Sequence, residues 1–392
     1  MKIPERIVMV DALRGYALMG LFLIHLAEYY ELYWYAPVPD PINTWMFNIF
    51  GGKAYAIFAM LFGLSFYLIL QRNADRGTDF RLRFLWRLSL LLGLGYLHGL
   101  VYGGDILQVL AIAGLVLVPL WIAPSWLILM IASGLLLQIT TYVFIVVVGH
   151  SELPYTHAFF SILDKPVLES YAHGSFLDVL SVNAGQGTLA KWTFMLETGR
   201  FASILGLGML GFLAGRSGFF VDVARFGKWY LRLLVVSILG ALACHFGASI
   251  FKLIPHAAKM NGALSNLLET YFNLFLTFVS VLVFVLLYQK KAAQRILVLL
   301  APTGRMTLSF YVGQSMVCVP LFYNFGLAAY KYIGQFWSLM LGIVLWVIQV
   351  VIAHWWLKRF HYGPLEWCWR AATYCTTDIA FQRRHSTTSN AS

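Results

Sequence analysis

The chain has 392 residues, of which 60% are hydrophobic and only 11% are charged. Soluble domains carry about 25% charged residues, so this composition excludes an ordinary soluble protein and predicts an all-α, polytopic membrane helix bundle. The formal net charge is +11, but the basic residues gather at the ends of apolar runs. That distribution is typical of membrane topology and not of nucleic-acid binding. The four cysteines have no zinc-ligand spacing, so no metal site is predicted.

Ten apolar stretches are long enough to cross about 30 Å of hydrocarbon as helices. They run over residues 7–29, 44–70, 84–102, 105–123, 125–149, 192–215, 229–251, 266–289, 296–323 and 337–357. Only Tyr102-Gly103-Gly104 joins the third stretch to the fourth, which predicts a tight hairpin. The first stretch superficially resembles a signal peptide, but Asp11 and Arg14 interrupt it and predict a retained helix.

The basic residues also predict the topology. With ten spans and a cytoplasmic N-terminus, nineteen Lys and Arg residues fall on the cytoplasmic side and five on the outside. This asymmetry predicts that both termini are cytoplasmic. The expected organisation is a transmembrane bundle over residues 1–362 and a cytoplasmic tail over 363–392, whose last residues are polar and expected to be disordered. An external segment at 150–191 forms either short helices over the bundle mouth or a solvated loop.

The remaining four cations lie inside apolar stretches: Arg14, Lys53, Arg200 and Arg305. A cation near the bilayer centre costs roughly 2.5–3.5 kcal/mol on insertion scales. Such residues are therefore expected to face the bundle interior, to pair with an acid or to touch a ligand.

The first helix has one polar face. At about 100° per residue, Asp11, Arg14, His25 and Glu28 fall within about 100° of one another. Asp11 and Arg14 are spaced i, i+3 and are expected to form an ion pair. That pair either ties the helix into the bundle or leaves Arg14 to bind a phosphate-bearing ligand.

The hairpin between the third and fourth stretches carries His98 and Asp105. We expect the two side chains to meet across the turn, where a carboxylate that orients an imidazole is the arrangement used in acyl transfer. Two other interpretations stay open: His98 serves packing or hydrogen bonding, and Asp105 caps the fourth helix.

Two further cations are expected to form ion pairs at the same level. Lys53 would pair with Glu28 or Asp105, and Arg200 with Glu197 at i, i+3.

The ninth stretch is interrupted at Ala301-Pro302-Thr303-Gly304-Arg305. Pro302 and Gly304 end its first half, and Thr303 is expected to cap the N-terminus of the second. A half-helix N-terminus beside Arg305 predicts an anion site, and a filled kink is the alternative. The interior groups thus form an inner level, with Asp11, Arg14 and Arg305, and an outer level around His98. This arrangement suits a protein that takes an anionic donor from the cytoplasm and works near the outer face.

Several of these motifs resemble the YeiB family of bacterial inner-membrane proteins. The matching residues are Asp11–Gly20, Leu61–Leu64, His98, Gly104–Leu107, Gly304–Tyr311, Gln314–Ser315, His354–Leu357 and Tyr362–Arg370. The resemblance covers nearly the whole chain and implies a multi-pass protein of the bacterial inner membrane. Its C-terminal part, at about 220–375, resembles the family's domain of unknown function.

The family is similar to the transmembrane acyltransferase superfamily, which implies transfer of an acyl group from cytoplasmic acyl-CoA to an acceptor at the outer face. In that scheme His98, oriented by Asp105, is a general base or a covalent acyl carrier, and Lys53 stabilises the oxyanion. His25 is a further catalytic candidate, although it departs from the resemblance because relatives often carry Asn there. The donor would be held by Asp11, Arg14, Gly15 and Arg305, and the acceptor by Glu28, Glu197 and Arg200.

Two other classes of function stay open. A transporter or lipid flippase would use the same interior charges, although the sequence indicates one broken helix where such proteins have a matched pair. A scaffold or sensor explains interior charges less well. The expected partners are membrane lipids, acyl-CoA and an extracytoplasmic sugar, lipid or amine, with no metal cofactor and no nucleic acid, and a homo-oligomer is left open.

Overall fold

The computed structural model describes residues 6–139, 143, 164–251 and 258–383. Within these ranges the chain is helical and forms no β-strand, only one isolated bridge between Phe360 and Gln382. The helices of the first half are α1 (Val8–His25), α2 (Pro41–Ile49), α3 (Ala54–Ala74), α4 (Arg81–Val101), α5 (Leu107–Leu117) and α6 (Ser125–Leu136). The next four are α7 (Asp164–His173), α8 (Phe176–Val182), α9 (Thr188–Glu197) and α10 (Arg200–Ser217).

The second half follows with longer helices. These are α11 (Val223–Phe251), α12 (Ala258–Tyr288), α13 (Lys291–Leu297), α14 (Ala301–Arg305), α15 (Thr307–Phe322), α16 (Gly334–Arg359) and α17 (Pro364–Tyr374). A π-helical turn, Leu26–Tyr30, continues α1, and a second, Asn183–Gly187, joins α8 to α9. Single π-helical turns are rare in proteins, and those that occur are frequently found at functional sites.

The protein is an all-helical membrane protein by the length and hydropathy of its helices. In the described ranges, six helices are long and apolar enough to cross a bilayer, and up to eight spans result if each of two bent helix pairs counts as one. The expected number of ten is not reached there, because α5 and α6 have only 11 and 12 residues. Much of the predicted fifth stretch lies outside the described residues.

Helix α1 lies at the centre of the bundle, with 14 of its 18 residues buried. Close packing of α3 against α10, elsewhere in the bundle, depends on glycine. A Cβ on Gly63 of α3 would lie 1.8 Å from the carbonyl oxygen of Gly208 on α10, and one on Gly211 would lie 1.8 Å from that of Met60. Small residues let membrane helices approach each other backbone to backbone. Such close packing matters in lipid, because the hydrophobic effect does not drive helices together there.

Two spans are bent, where the sequence indicated one. Helices up to Glu197 and from Arg200 meet at 68°, with Gly199 in the left-handed conformation between them. The second bend, of 77°, lies between Arg305 and Thr307. The predicted cap at Thr303 is wrong, because Thr303 lies inside α14 and its hydroxyl donates to the Leu300 carbonyl.

Helices occur in the external segment, which the sequence left open as short helices or a loop, and in the segment that it assigned to the tail. Residues 164–191 form α7, α8 and the start of α9, and Tyr171 and Val179 are buried there. The predicted tail begins with α17, which packs against α4: the Trp86 indole donates to the Ala372 carbonyl and the Trp369 indole to the Arg87 carbonyl. The last residues of the tail, and residues 150–163 of the external segment, lie outside the described residues.

Candidate functional site

The imidazole of His98 and the carboxylate of Asp105 lie together in the interior. His98 is near the end of α4, Asp105 immediately precedes α5, and the Gly-Gly turn between them reverses the chain. The His98 Nδ1 to Asp105 Oδ1 distance is 2.8 Å, and both residues are almost fully buried. The structure thus confirms the expected contact across the hairpin. Donation from Nδ1–H to the carboxylate leaves the lone pair on Nε2.

Asp105 is itself held firmly. Its two oxygens accept the backbone N–H groups of Leu107, at 3.2 Å, and Gln108, at 3.1 Å. Asp105 therefore caps α5 and also orients His98. The two interpretations of Asp105 from the sequence, helix cap and partner of His98, are both correct. Lys191, a buried residue of α9, exerts its positive charge on this carboxylate. Sequence reasoning placed Lys191 in an external loop and missed this proximity.

Nε2 of His98 is buried and has no hydrogen-bond partner. Buried polar groups are nearly always paired, so an exception needs an explanation, and a catalytic role is one of those known. The surroundings of this nitrogen are aromatic. The rings of Tyr311 and Tyr102 lie 5.2 and 5.8 Å from the His98 ring, and His25 lies 5.3 Å from Tyr102. Tyr30 closes the group at 4.9 Å from Tyr102. We call these five residues the aromatic chamber.

The hydroxyls of the chamber differ in how they are used. Tyr311 accepts the Ile106 N–H at 3.0 Å and donates to the Gly104 carbonyl at 3.4 Å. Tyr30 shares a hydrogen bond of 2.8 Å with Ser315. By contrast, the Tyr102 hydroxyl is buried without a partner. The sequence indicated His25 and His98 but not the three tyrosines around them, because the members of the cluster lie in or directly after α1 and α4 and in α15.

The two turn glycines are required by the tyrosines around them. A Cβ on Gly103 would lie 2.3 Å from the Tyr171 hydroxyl, and one on Gly104 would lie 2.6 Å from the Tyr102 hydroxyl. Tyr171 also donates to the Asn183 side-chain oxygen at 2.5 Å. The α4–α5 turn is therefore held in place from several sides, which fixes the geometry of His98 and Asp105.

At the opposite end of α1, the expected ion pair forms. Arg14 donates to Asp11 at 2.6 Å and to the Ser65 hydroxyl at 2.7 Å. Ser65 in turn donates to the Leu61 carbonyl. We call this end of the bundle the basic end; it includes α17 and the arginines at the end of α3, in the α3–α4 loop and at the start of α4. Eleven residues separate Arg14 from His25 on α1, which corresponds to roughly 17 Å between the basic end and the chamber.

Gly15 has a packing role. A Cβ there would lie 2.2 Å from the Leu300 carbonyl oxygen, and one on Gly304 would lie 1.8 Å from that of Asp11. These glycines let α1 and α14 touch along their backbones. Two of the motifs that carry the family resemblance therefore meet at this crossing.

Arg305 lies at the bend after α14, near the Asp11–Arg14 pair. It donates to the His361 carbonyl at 3.3 Å, while its buried Nε has no partner. Asp11 and the cations Arg6 and Arg383 act on it electrostatically. The inner level predicted from the sequence is thus assembled, with more positive than negative charge.

The half-helix N-terminus at the second bend does bind an anion, but one from the chain itself. The carboxylate of Glu366 on α17 accepts the backbone N–H groups of Leu308, at 2.7 Å, and Ser309, at 3.1 Å. It also accepts the Ser309 hydroxyl at 2.5 Å. Burial raises the pKa of Glu366 above its ordinary value, and these hydrogen bonds only partly offset the effect. The sequence motif around Glu366 carries the family resemblance, but it did not indicate that Glu366 binds the start of α15.

The predicted pairing of Lys53 is wrong. Its ammonium donates to the Phe47 carbonyl at 3.2 Å, and Glu269 is the acid that acts on it. Neither Glu28 nor Asp105 is its partner. Glu28 lies in the π-helical turn after His25 and accepts the Trp34 indole N–H at 3.0 Å.

The pairing of Glu197 and Arg200 was predicted from i, i+3 spacing on one helix. The structure has no continuous helix there, because α9 ends at Glu197 and α10 begins at Arg200. The Arg200 guanidinium packs over the rings of Tyr55, at 4.8 Å, and Phe194, at 4.6 Å. A cation over an aromatic face is stabilised without a carboxylate.

Within the described ranges, no group of three or more His, Cys, Asp or Glu residues is arranged so that it could hold a metal ion. The four cysteines are unbonded: Cys244 and Cys318 are buried, and Cys368 and Cys375 are exposed.

Comparison with known proteins identifies relatives along almost the whole chain. Residues 214–376 match the family described as "Protein of unknown function (DUF418)". The uncharacterized protein YxaH of Bacillus subtilis (strain 168) is 27% identical over 94% of both chains. The uncharacterized protein YeiB of Escherichia coli (strain K12) is 24% identical over 94% of this chain and 96% of its own. The chain is thus similar to YeiB-like proteins over almost its whole length, and its C-terminal part matches the DUF418 family. The descriptions of these relatives state no activity, so the function is argued from the site.

Proposed function

We propose that this YeiB-like protein is a membrane-bound acyltransferase that uses His98 as its general base. One observation carries the proposal: Nδ1 of a buried imidazole is held by a carboxylate while Nε2 has no partner. A base with an orienting acid is the arrangement needed to remove a proton from an attacking hydroxyl or amine.

The reaction balances without a further reactant. The acceptor oxygen or nitrogen attacks the thioester carbonyl carbon, the carbonyl π electrons move to oxygen, and His98 Nε2 takes the acceptor proton. The C–S bond then breaks, and the thiolate of CoA receives that proton from Nε2. Asp105 stabilises the imidazolium between the two steps.

The basic end supports the choice of acyl-CoA as donor. Arg14 and Arg305 are the residues that would hold its phosphates, since guanidinium groups make paired, charge-assisted contacts to phosphate oxygens. The partnerless Nε of Arg305 favours this role. The acyl chain and pantetheine arm would extend along α1 toward the aromatic chamber, over the roughly 17 Å estimated from the helix rise.

The orientation in the membrane is part of the proposal. We infer a bacterial inner-membrane protein with ten spans and with the basic end and both termini in the cytoplasm, because most Lys and Arg residues lie on that side. Cysteine-accessibility labelling in spheroplasts tests it. Cys368 on α17 and Cys375, which directly follows it, are exposed. Labelling of either by an impermeant maleimide from outside would contradict the orientation.

The experiment for activity follows release of CoA from a series of acyl-CoA thioesters by the full-length protein in detergent. We expect His98→Gln to lose 10²–10⁴-fold in kcat, the usual contribution of a general base. Arg14→Gln and Arg305→Gln are expected to raise KM. His245→Gln is the matched control, because His245 is exposed and its ring only packs against Phe246 and Phe272. Unaltered turnover in His98→Gln would overturn the proposal.

A transporter or flippase is the second candidate, and the structure gives it one additional argument. Two spans are bent, at 68° and 77°, and paired discontinuous helices line substrate sites in many transporters. This function predicts transport that depends on an ion gradient in proteoliposomes. Folded protein that binds no acyl-CoA would favour it.

A further inference from the structure

The oxyanion of the proposed reaction needs a hydrogen-bond donor. The sequence suggested Lys53, but the ammonium of Lys53 is bonded to the Phe47 carbonyl and lies in the field of Glu269. The donor must therefore come from another residue close to His98.

Tyr102 is placed next to both imidazoles. Its ring lies 5.8 Å from His98 and 5.3 Å from His25, and its backbone N–H is bonded to the His98 carbonyl at 3.0 Å. Tyr102 follows α4 directly, so the turn that positions Asp105 also positions this phenol. Its side chain has no exposed surface.

The hydroxyl of Tyr102 is an available hydrogen-bond donor in the aromatic chamber. The hydroxyls of Tyr311 and Tyr30 are already bonded within the protein. Tyr102 and His98 Nε2 each lack a partner, and both are buried. Two neighbouring polar groups left without partners indicate a site made for a polar ligand, because a buried unpaired donor is costly unless a ligand pairs with it.

We propose that the Tyr102 hydroxyl donates a hydrogen bond to the thioester carbonyl oxygen as that oxygen becomes negatively charged in the tetrahedral intermediate. The inference rests on the acyltransferase function proposed above and assigns it a second catalytic residue. No proton is transferred from Tyr102: the hydrogen bond stabilises the oxyanion and relaxes when the C–S bond breaks. Removal of one such donor typically lowers kcat 10²–10³-fold.

Two variants separate this role from a structural one. Tyr102→Phe deletes only the unpaired hydroxyl, so we expect kcat for hydrolysis of acetyl-CoA, with water as acceptor, to fall at least 100-fold. KM and the melting temperature of the detergent-solubilised full chain should stay unchanged. Tyr311→Phe is the matched control, because it deletes a hydroxyl bonded to Ile106 and Gly104 and is expected to lower the melting temperature.

The outcomes are distinguishable from failure of the general-base proposal. Full activity in Tyr102→Phe, together with loss of activity in His98→Gln, would overturn the role of Tyr102 alone. Full activity in His98→Gln, or folded wild-type protein that releases no CoA, would overturn both. A lower melting temperature in Tyr102→Phe with proportional loss of kcat would show a structural role and also contradict the inference.

Discussion

Replacing Glu366 tests whether α17 holds the second bend in place. Its carboxylate accepts three hydrogen bonds, two from the backbone of Leu308 and Ser309 and one from the Ser309 hydroxyl. The Leu365 N–H donates back to that hydroxyl at 3.0 Å. Glu366→Ala removes all three acceptor contacts and leaves the first N–H groups of α15 without this partner.

The expected cost follows from these contacts. An unsatisfied buried donor costs about 1–3 kcal/mol, so two backbone N–H groups give about 2–6 kcal/mol for Glu366→Ala. At about 2 °C per kcal/mol, the melting temperature should fall by roughly 4–12 °C. Glu366→Gln keeps an acceptor for both N–H groups and can donate to Ser309, so we expect a loss of about 1 kcal/mol or less.

Thermal unfolding of the full chain in detergent, followed by intrinsic fluorescence, measures both variants. Cys368→Ser is the control, because Cys368 is exposed on the same helix. Equal melting temperatures for Glu366→Ala and the wild type would refute the reasoning, since they would mean that the carboxylate does not stabilise the start of α15.

The same residue predicts a pH dependence. Burial raises the pKa of Glu366 in the folded state above its ordinary value of 4.5, so the folded chain binds the proton more tightly than the unfolded chain. The contribution of the Glu366 carboxyl group to the free energy of unfolding is therefore complete below pH 4.5. It declines as pH rises through the raised pKa. Glu366→Gln should lack this part of the decline. A wild type and Glu366→Gln with parallel pH profiles would contradict the direction of the shift.

Two glycine substitutions test the helix crossings. Gly304→Ala places a Cβ 1.8 Å from the Asp11 carbonyl oxygen, so α1 and α14 must separate. We expect this variant to be destabilised by about 3 kcal/mol or more in the thermal unfolding assay. Gly313→Ala is the control and should be neutral, because a Cβ there has no atom within 4 Å. Gly63→Ala meets the Gly208 carbonyl oxygen at 1.8 Å and is expected to lower the yield of folded protein in size-exclusion chromatography, while Gly93→Ala, which meets nothing within 4 Å, should not. A Gly304 or Gly63 variant that behaves like its control would contradict the close packing.

The features that the sequence predicted correctly depend on neighbours along the chain. The Asp11–Arg14 pair follows from helical spacing, and the His98–Asp105 contact follows from a turn too short to separate the two residues. Apolar stretches of sufficient length likewise predict the helical class, because backbone groups in lipid must be satisfied within a helix or a closed barrel.

The features that the sequence did not predict depend on which helices pack together. Lys53 donates to the carbonyl of Phe47 in the last turn of α2, and no spacing rule indicates that choice. The Tyr311 hydroxyl bonds to a backbone group 205 residues away, and Glu366 to one 58 residues away. Charge and periodicity limit which face of a helix is buried, but they leave the partner helix undetermined.

The distribution of the site along the chain bears on the family region at 214–376. That region supplies Tyr311 and Glu366, whereas His98, Asp105 and Tyr102 all precede it. Within the described residues, α17 contacts both halves: Trp369 donates to the Arg87 carbonyl on α4, and the Arg87 guanidinium lies 3.6 Å from the Trp369 ring centre.

Helix α4 carries His98 at its other end, and α15, which Glu366 caps, carries Tyr311 beside it. One short helix at the basic end therefore holds the starts of the two helices that meet in the aromatic chamber. A donor bound near Arg305 would lie next to this connection, so binding at one end can alter the geometry of the base at the other through rigid helices. In the proposed mechanism, the region at 214–376 would support a site whose base lies in the first half, and activity would require both halves of the chain.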